Sequence, residues 1–172
     1  MTVARLLTER GFAAVALDAP GHGARRAATD TEWPRPDRDQ VVREWSACVA
    51  ELRDEVDTGR LGYWGLSMGT GLGISVIADD AIDFRAAALG LMHANWPAPP
   101  GERIRADAGR VACPVLFVVN WDDQLAPRER AFELYDLLGS RDKRLHGYPG
   151  RHGELPFESF VASVDFLVRY LT

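Results

Sequence analysis

The sequence predicts an α/β fold, a mostly parallel β-sheet flanked by helices, and three observations predict it. Short apolar runs of strand length alternate with segments whose apolar residues recur at helical spacing. Glycine and proline clusters punctuate the chain between those segments. Residues able to do chemistry follow the apolar runs, at the strand ends where the loops of a parallel sheet converge on one crevice. At 172 residues the chain is read as one domain, 1–172.

Val3, Ala4, Leu6 and Leu7 have helical spacing and stop at Gly11, a residue suited to the left-handed turn that ends a helix. Ala13 to Leu17 is a short apolar run before the Asp18-Ala19-Pro20-Gly21 turn, so a first strand, buried on both faces, is expected there. Residues 23 to 36 are polar and read as a surface loop. Asp37 is placed as an N-cap with Gln40 three places on, opening a helix whose Val41, Val42, Trp45, Val49, Leu52 and Val56 share one face and which ends by Gly59. Leu61 to Trp64 makes a second strand and runs into Gly65-Leu66-Ser67-Met68-Gly69, with a helix from Thr70 to Ala78 behind it.

Ala86 to Met92 is the third strand, and Asn95 to Gly101, with three prolines, is a loop. Pro114 introduces the clearest strand, Val115 to Val119, followed by a helix over Arg128 to Leu138. A weaker strand, Lys143 to His146, precedes the Gly150-Arg151-His152-Gly153 turn, and Pro156 to Leu171 forms the last helix. That makes about five strands with right-handed crossovers.

Composition narrows the function. The chain is 47% hydrophobic and 26% charged, ordinary for a folded globular protein, and its net charge of −5 leaves no basic stripe for a nucleic-acid backbone. Cys48 and Cys113 each sit in apolar surroundings, which predicts buried free thiols in a reducing compartment. The run Phe12 to Leu17 is too short for a signal segment or a membrane span, so a cytoplasmic protein is expected.

Three strand-end loops hold the reactive groups. Ser67 lies in Gly-x-Ser-x-Gly, Asp122 and Asp123 follow the fourth strand, and His152 follows the fifth. A serine hydroxyl needs a base within hydrogen-bond reach, and that base needs an acid to fix its tautomer. His152 and Asp123 supply those roles, with Asp122 the rival acid. The chain order Ser, Asp, His is the one that accompanies a strand-to-helix nucleophile turn. Structural readings stand beside these: Ser67 as a helix N-cap, Asp123 as the cap of its turn, and His152 bonded to a core carbonyl with Glu154 as its partner.

These motifs resemble the α/β-hydrolase family, especially small lidless members such as dienelactone-hydrolase-like esterases and thioesterases. Leu6 to Phe12 and Leu17 to Gly23 look like the family's helix, strand and D-x-P-G-H-G turn, and Gly65 to Gly69 matches its nucleophile elbow. Asn120 to Pro127 resembles the acid loop G-x-x-D-x-x-x-P with Asn120 in the glycine's place, and Tyr148 to Gly153 resembles the histidine loop. The resemblance implies an ester, thioester or lactone hydrolase needing no metal or organic cofactor, with Ser67 as nucleophile, His152 as base, Asp123 as acid and the Met68 N–H as an oxyanion donor. By their positions in the chain, His22, in a turn shaped by its own side chain, and His93, Trp96 and Trp121 on or beside the crevice loops are read as substrate contacts. Residues 93 to 113 are too few for a cap domain, so an open site for a small or extended substrate is expected.

One part of the family's pattern is missing. The strand expected before Ala13 to Leu17 carries, in the family, the second oxyanion donor, and Met1 begins inside the helix that follows it. Loss of one such donor costs about 2.7 to 4 kcal/mol of transition-state stabilisation. That strand also separates 13–17 from 61–64, so either these two close up, bringing the Gly21-His22-Gly23 amides to Ser67 as a substitute, or a second chain supplies the edge pairing. An exposed edge offers a route to a homodimer. The alternative function is an inactive hydrolase-like module that binds an acyl ligand or a partner chain.

Overall fold

The computed structural model of the protein describes residues 2–27, 36–96 and 102–172. Its elements run in the order α1 (Thr2–Thr8), α2 (Arg38–Glu51), β1 (Leu61–Trp64), α3 (Met68–Ile77), β2 (Phe84–Gly90), α4 (Glu102–Arg110), β3 (Val115–Asn120), α5 (Arg128–Leu137), β4 (Lys143–Tyr148) and α6 (Phe157–Leu171). The strands form one sheet in the order β1-β2-β3-β4, every pair parallel. Parallel neighbours in chain order require a crossover between each pair, and α3, α4 and α5 provide them.

The crossover helices pack on one face of the sheet. Ile74 and Ile77 of α3, Ile104 and Ala108 of α4, and Ala131 and Leu134 of α5 enclose Ala87, Leu89, Val115, Phe117 and Val119. On the other face Phe166, Leu167 and Leu171 of α6 cover Ala86, Ala88, Leu116 and Val118. The alternation of Ala86 to Ala88 and Val115 to Val119 between the two clusters is the period-2 geometry of strands buried on both sides. Asp37 caps α2, its Oδ1 accepting the Asp39 N–H at 2.9 Å and the Gln40 N–H at 3.4 Å, while the Gln40 side chain turns to Glu44. Val41, Val42 and Leu72 form a third cluster between α2 and α3. Among the described residues no helix is long and apolar enough to cross a membrane.

Several expectations need correction. Residues 13–17 form no strand and join no ladder, and Val15 and Leu17 are 45% and 39% exposed rather than buried. Among the described residues the sheet therefore has four strands. The physical reason is the space between this segment and β1, a cavity of about 1020 Å³ lined by Phe12, Val15, Leu17, Trp45, Leu66 and Phe160 among others. This segment and β1 share no ladder and both line that cavity, so the two have not closed up. The predicted helix over 38–56 ends at Glu51, and the third strand starts at Phe84 and stops at Gly90. Helix α4 was not foreseen, because Ile104, Asp107 and Ala108 are its only buried residues in a run rich in arginine. Cys48 and Cys113 are free as expected but half-buried. Parts of the loops predicted at 23–36 and 95–101 lie outside the described residues.

Candidate active site

The turn after β1 is built around a backbone that few residues accept. Ser67 has φ 53° and ψ −120°, outside the ordinary regions for an L-residue and costing on the order of 1–3 kcal/mol. Surrounding bonds hold it there. The Ser67 N–H donates to the Gly90 carbonyl at 2.9 Å, and the Gly65 N–H donates to the Ala88 carbonyl at 3.0 Å. Fully buried Thr70 places its hydroxyl 2.7 Å from the Gly65 carbonyl and 2.8 Å from that of Gly90, and accepts the Gly90 N–H at 2.7 Å. Tyr63 donates to the Gly69 carbonyl at 2.8 Å. A Cβ on Gly65 would lie 2.7 Å from the Gly69 carbonyl oxygen, so glycine is required there by close approach. At Gly69 a Cβ would meet nothing within 4 Å, because Gly69 faces the open space beside β1, so only the first glycine of the elbow is required by close approach.

The loops after β3 and β4 meet this turn. The Ser67 hydroxyl lies 2.7 Å from His152 Nε2. On the other side of the ring, Nδ1 lies 2.9 Å and 2.8 Å from the two carboxylate oxygens of Asp123. The Asp123 side chain is 1% exposed and that of His152 17%. Asp123 Oδ1 also accepts the Leu125 and Ala126 N–H groups, each at 2.8 Å, which fixes the carboxylate under the ring. The rival Asp122 is exposed, its N–H bonded to the Gly150 carbonyl, and Glu154 takes the Arg151 N–H rather than the imidazole.

The other candidates occupy distinct places. Met68 opens α3 at the sheet's C-terminal end, and its side chain lines a cavity of about 380 Å³ shared with the 18–23 turn. That cavity separates the turn from the elbow. Of the amides expected to substitute in the oxyanion hole, the His22 N–H donates to the Ala19 carbonyl at 2.9 Å, inside its own turn; the neighbouring Ala24 and Arg25 N–H groups go to Asp18 and to the His22 carbonyl. His22 is 8% exposed and bonds the Pro20 carbonyl through Nδ1 at 3.0 Å. His93 accepts the Asn95 N–H on Nδ1 at 3.2 Å; burial and then Arg130 push its pKa below the ordinary imidazole value, against Asp123 and Glu133. Trp96 lies over the first turns of α3, where a Cβ on Gly71 would come within 2.6 Å of its ring. Trp121, 40% exposed, packs against Gly147 of β4 and edge-on to Phe132.

The family model described as serine aminopeptidase, S33, matches residues 1–90. A cold-adapted esterase from an Arctic intertidal metagenomic library, in its complex with PEG, is 37% identical over 99% of this chain and 74% of its own, with a TM-score of 0.87. The chain belongs to the α/β-hydrolase family. Two more distant α/β-hydrolase neighbours share the fold: the monoacylglycerol lipase of Paleococcus ferrophilus, 18% identical over 98% of this chain and 88% of its own at a TM-score of 0.76, and the acetyl xylan esterase of Paenibacillus sp. R4, 21% identical over 77% and 52% at 0.61. No curated protein matches the chain. Within this α/β hydrolase, Thr70, Asn120 and Gln124 bond the elbow and the histidine loop, and sequence reasoning gave them no part in the candidate site. Thr70 adjoins the elbow motif and the two carboxamides lie within the acid loop, Asn120 in its glycine's place, and those were the available signals; neither position is one at which the motif asks for a carboxamide.

Proposed function

We propose that this α/β hydrolase is a serine hydrolase that cleaves small or extended carboxylic esters, with thioesters and lactones in the same reaction class, through an acyl-enzyme on Ser67. The observation that carries the reading is the unbroken line of hydrogen bonds from the Ser67 hydroxyl through His152 to buried Asp123. Ser67 Oγ attacks the acyl carbon while His152 Nε2 takes its proton, and Nδ1–H stays bonded to Asp123. The carbonyl oxygen, now negative, is received by the Met68 N–H. The imidazolium then protonates the departing alcohol or thiol. Water repeats the sequence on the acyl-enzyme, releasing the acid and restoring Ser67. Trp96 and His93, beside the elbow helix and the acid loop, are the side chains assigned to the substrate's walls, in keeping with the open, lidless, dienelactone-hydrolase-like type. The esterase relative supports an ester over an amide, and the free thiols suit a reducing cytoplasm.

Hydrolysis of p-nitrophenyl acyl esters of increasing chain length tests this. The parent is expected to turn over the short esters, and Ser67→Ala to fall to the uncatalysed rate. A Ser67→Ala variant as fast as the parent would remove the nucleophile and the reading with it.

A second reading is favoured by one observation. Among the described residues the outer edge of β1 borders the 1020 Å³ cavity instead of another strand, and an open edge beside an apolar slot is a template for strand addition. In that reading the fold binds a chain, a second copy of itself included, whether or not it hydrolyses esters.

A further inference from the structure

The peptide group that joins Arg151 to His152 is gripped at both polar ends by side chains from the acid loop. Asn120, 1% exposed, donates from Nδ2 to the Arg151 carbonyl at 2.7 Å. Gln124 accepts the His152 N–H on Oε1 at 3.3 Å. A carbonyl and the following N–H share one rigid plane, so the two carboxamides together set the plane from which the His152 side chain projects. Glu154 closes the turn from the far side, its carboxylate taking the Arg151 N–H at 2.8 Å and its own N–H reaching the Arg151 carbonyl at 2.9 Å.

Packing does not account for Asn120. It ends a strand whose other residues are Val115, Leu116, Phe117, Val118 and Val119, and its Oδ1 is buried without a hydrogen bond. A leucine of similar size would remove that unsatisfied oxygen, so a core residue chosen for stability would be apolar. Nor can the amide turn over, because its oxygen would then face the Arg151 carbonyl. What the carboxamide provides at this position is the donor to the histidine loop.

We propose that Asn120 and Gln124 are positioning residues that hold His152 between Ser67 and Asp123. This rests on the hydrolase reading, in which a base misplaced by about 1 Å loses on the order of a hundredfold in rate. Asn120→Leu removes the donor and keeps the volume, Gln124→Met removes the acceptor and keeps the length, and Gln124→Glu retains the acceptor.

Two readouts are taken on each folded variant: the NMR signal of the imidazole proton shared with Asp123, which needs no turnover, and steady-state hydrolysis of p-nitrophenyl acetate. Asn120→Leu and Gln124→Met are expected to lose that signal to solvent exchange and to lower kcat about 10- to 100-fold with KM within about twofold. Asn120→Leu should melt no lower than the parent. Gln124→Glu should keep kcat within about threefold and shift the acid limb of the pH profile upward, since a nearby carboxylate favours imidazolium. An unchanged imidazole signal in both Asn120→Leu and Gln124→Met overturns the proposal, as does a fall in kcat without any change at the imidazole. Loss of the signal in both variants of a parent that hydrolyses no ester supports the clamp and defeats the hydrolase reading instead. If Asn120→Leu fails to fold, Gln124→Met decides by the same two readouts.

Discussion

The Asp123 carboxylate serves two partners at once, holding the Leu125 and Ala126 amides while facing His152 Nδ1. Asp123→Asn keeps an oxygen for the amides but no longer fixes the tautomer, so kcat is expected to fall about 10⁴-fold. Asp122→Asn, on an exposed side chain, should leave kcat within about twofold; steady-state kinetics of both variants decide which aspartate is the acid. Away from the site, hydrogen bonds from Arg25 hold the Glu44 carboxyl down, from its ordinary 4.5 to about 2, with Gln40 assisting and desolvation opposing. Because the folded-state value is the lower one, the stabilisation is present above 4.5 and is lost as pH falls toward 2. An acid titration followed by circular dichroism should therefore show the parent losing its advantage over Glu44→Gln across that window. A constant difference between the two would contradict the pairing. At this scale Ser67, Asp123 and His152 were legible because their chemistry demands those residue types within motifs. Asn120 and Gln124 were not, since a carboxamide acquires a role only from the peptide it happens to face.

Among the elements, β1, the elbow and α3 act as one unit through Thr70 and Gly65. Thr70→Val leaves the Gly90 N–H buried without its acceptor and is expected to cost about 1–3 kcal/mol in chemical denaturation. Gly65→Ala brings a methyl against the Gly69 carbonyl and the Tyr63 ring, a further about 1–3 kcal/mol of overpacking. Gly69→Ala meets open space and should leave the denaturation midpoint unchanged; equal losses at the two glycines would contradict the open slot. Strands β1 to β4 and helices α2, α3, α5 and α6 could be read from periodicity and turn residues, with ends displaced by a few positions. Helix α4 could not, because its buried face rests on Ile104, Asp107 and Ala108, too few apolar residues to show a period.

For the molecule as a whole, the segment 13–17 marks where local pattern and tertiary context part. Ala13 to Leu17 has the composition of a buried strand, yet its burial depends on a neighbour in the 1020 Å³ slot between it and β1. About a quarter of the esterase relative's length has no counterpart in this chain. An apolar slot beside an open edge should draw in a strand from another molecule, so sedimentation velocity is expected to show dimers that grow with concentration and weaken in Val15→Lys. Identical, purely monomeric profiles for the two would rule out this route. The central claim is that Ser67 is a nucleophile activated by His152, and covalent labelling with a fluorophosphonate, read by intact mass and peptide mapping, tests it most directly. One adduct per folded chain, on the peptide containing Ser67 and absent from Ser67→Ala and from His152→Ala, is the predicted result. A folded parent that takes up no adduct, or carries it on another residue, would contradict the account.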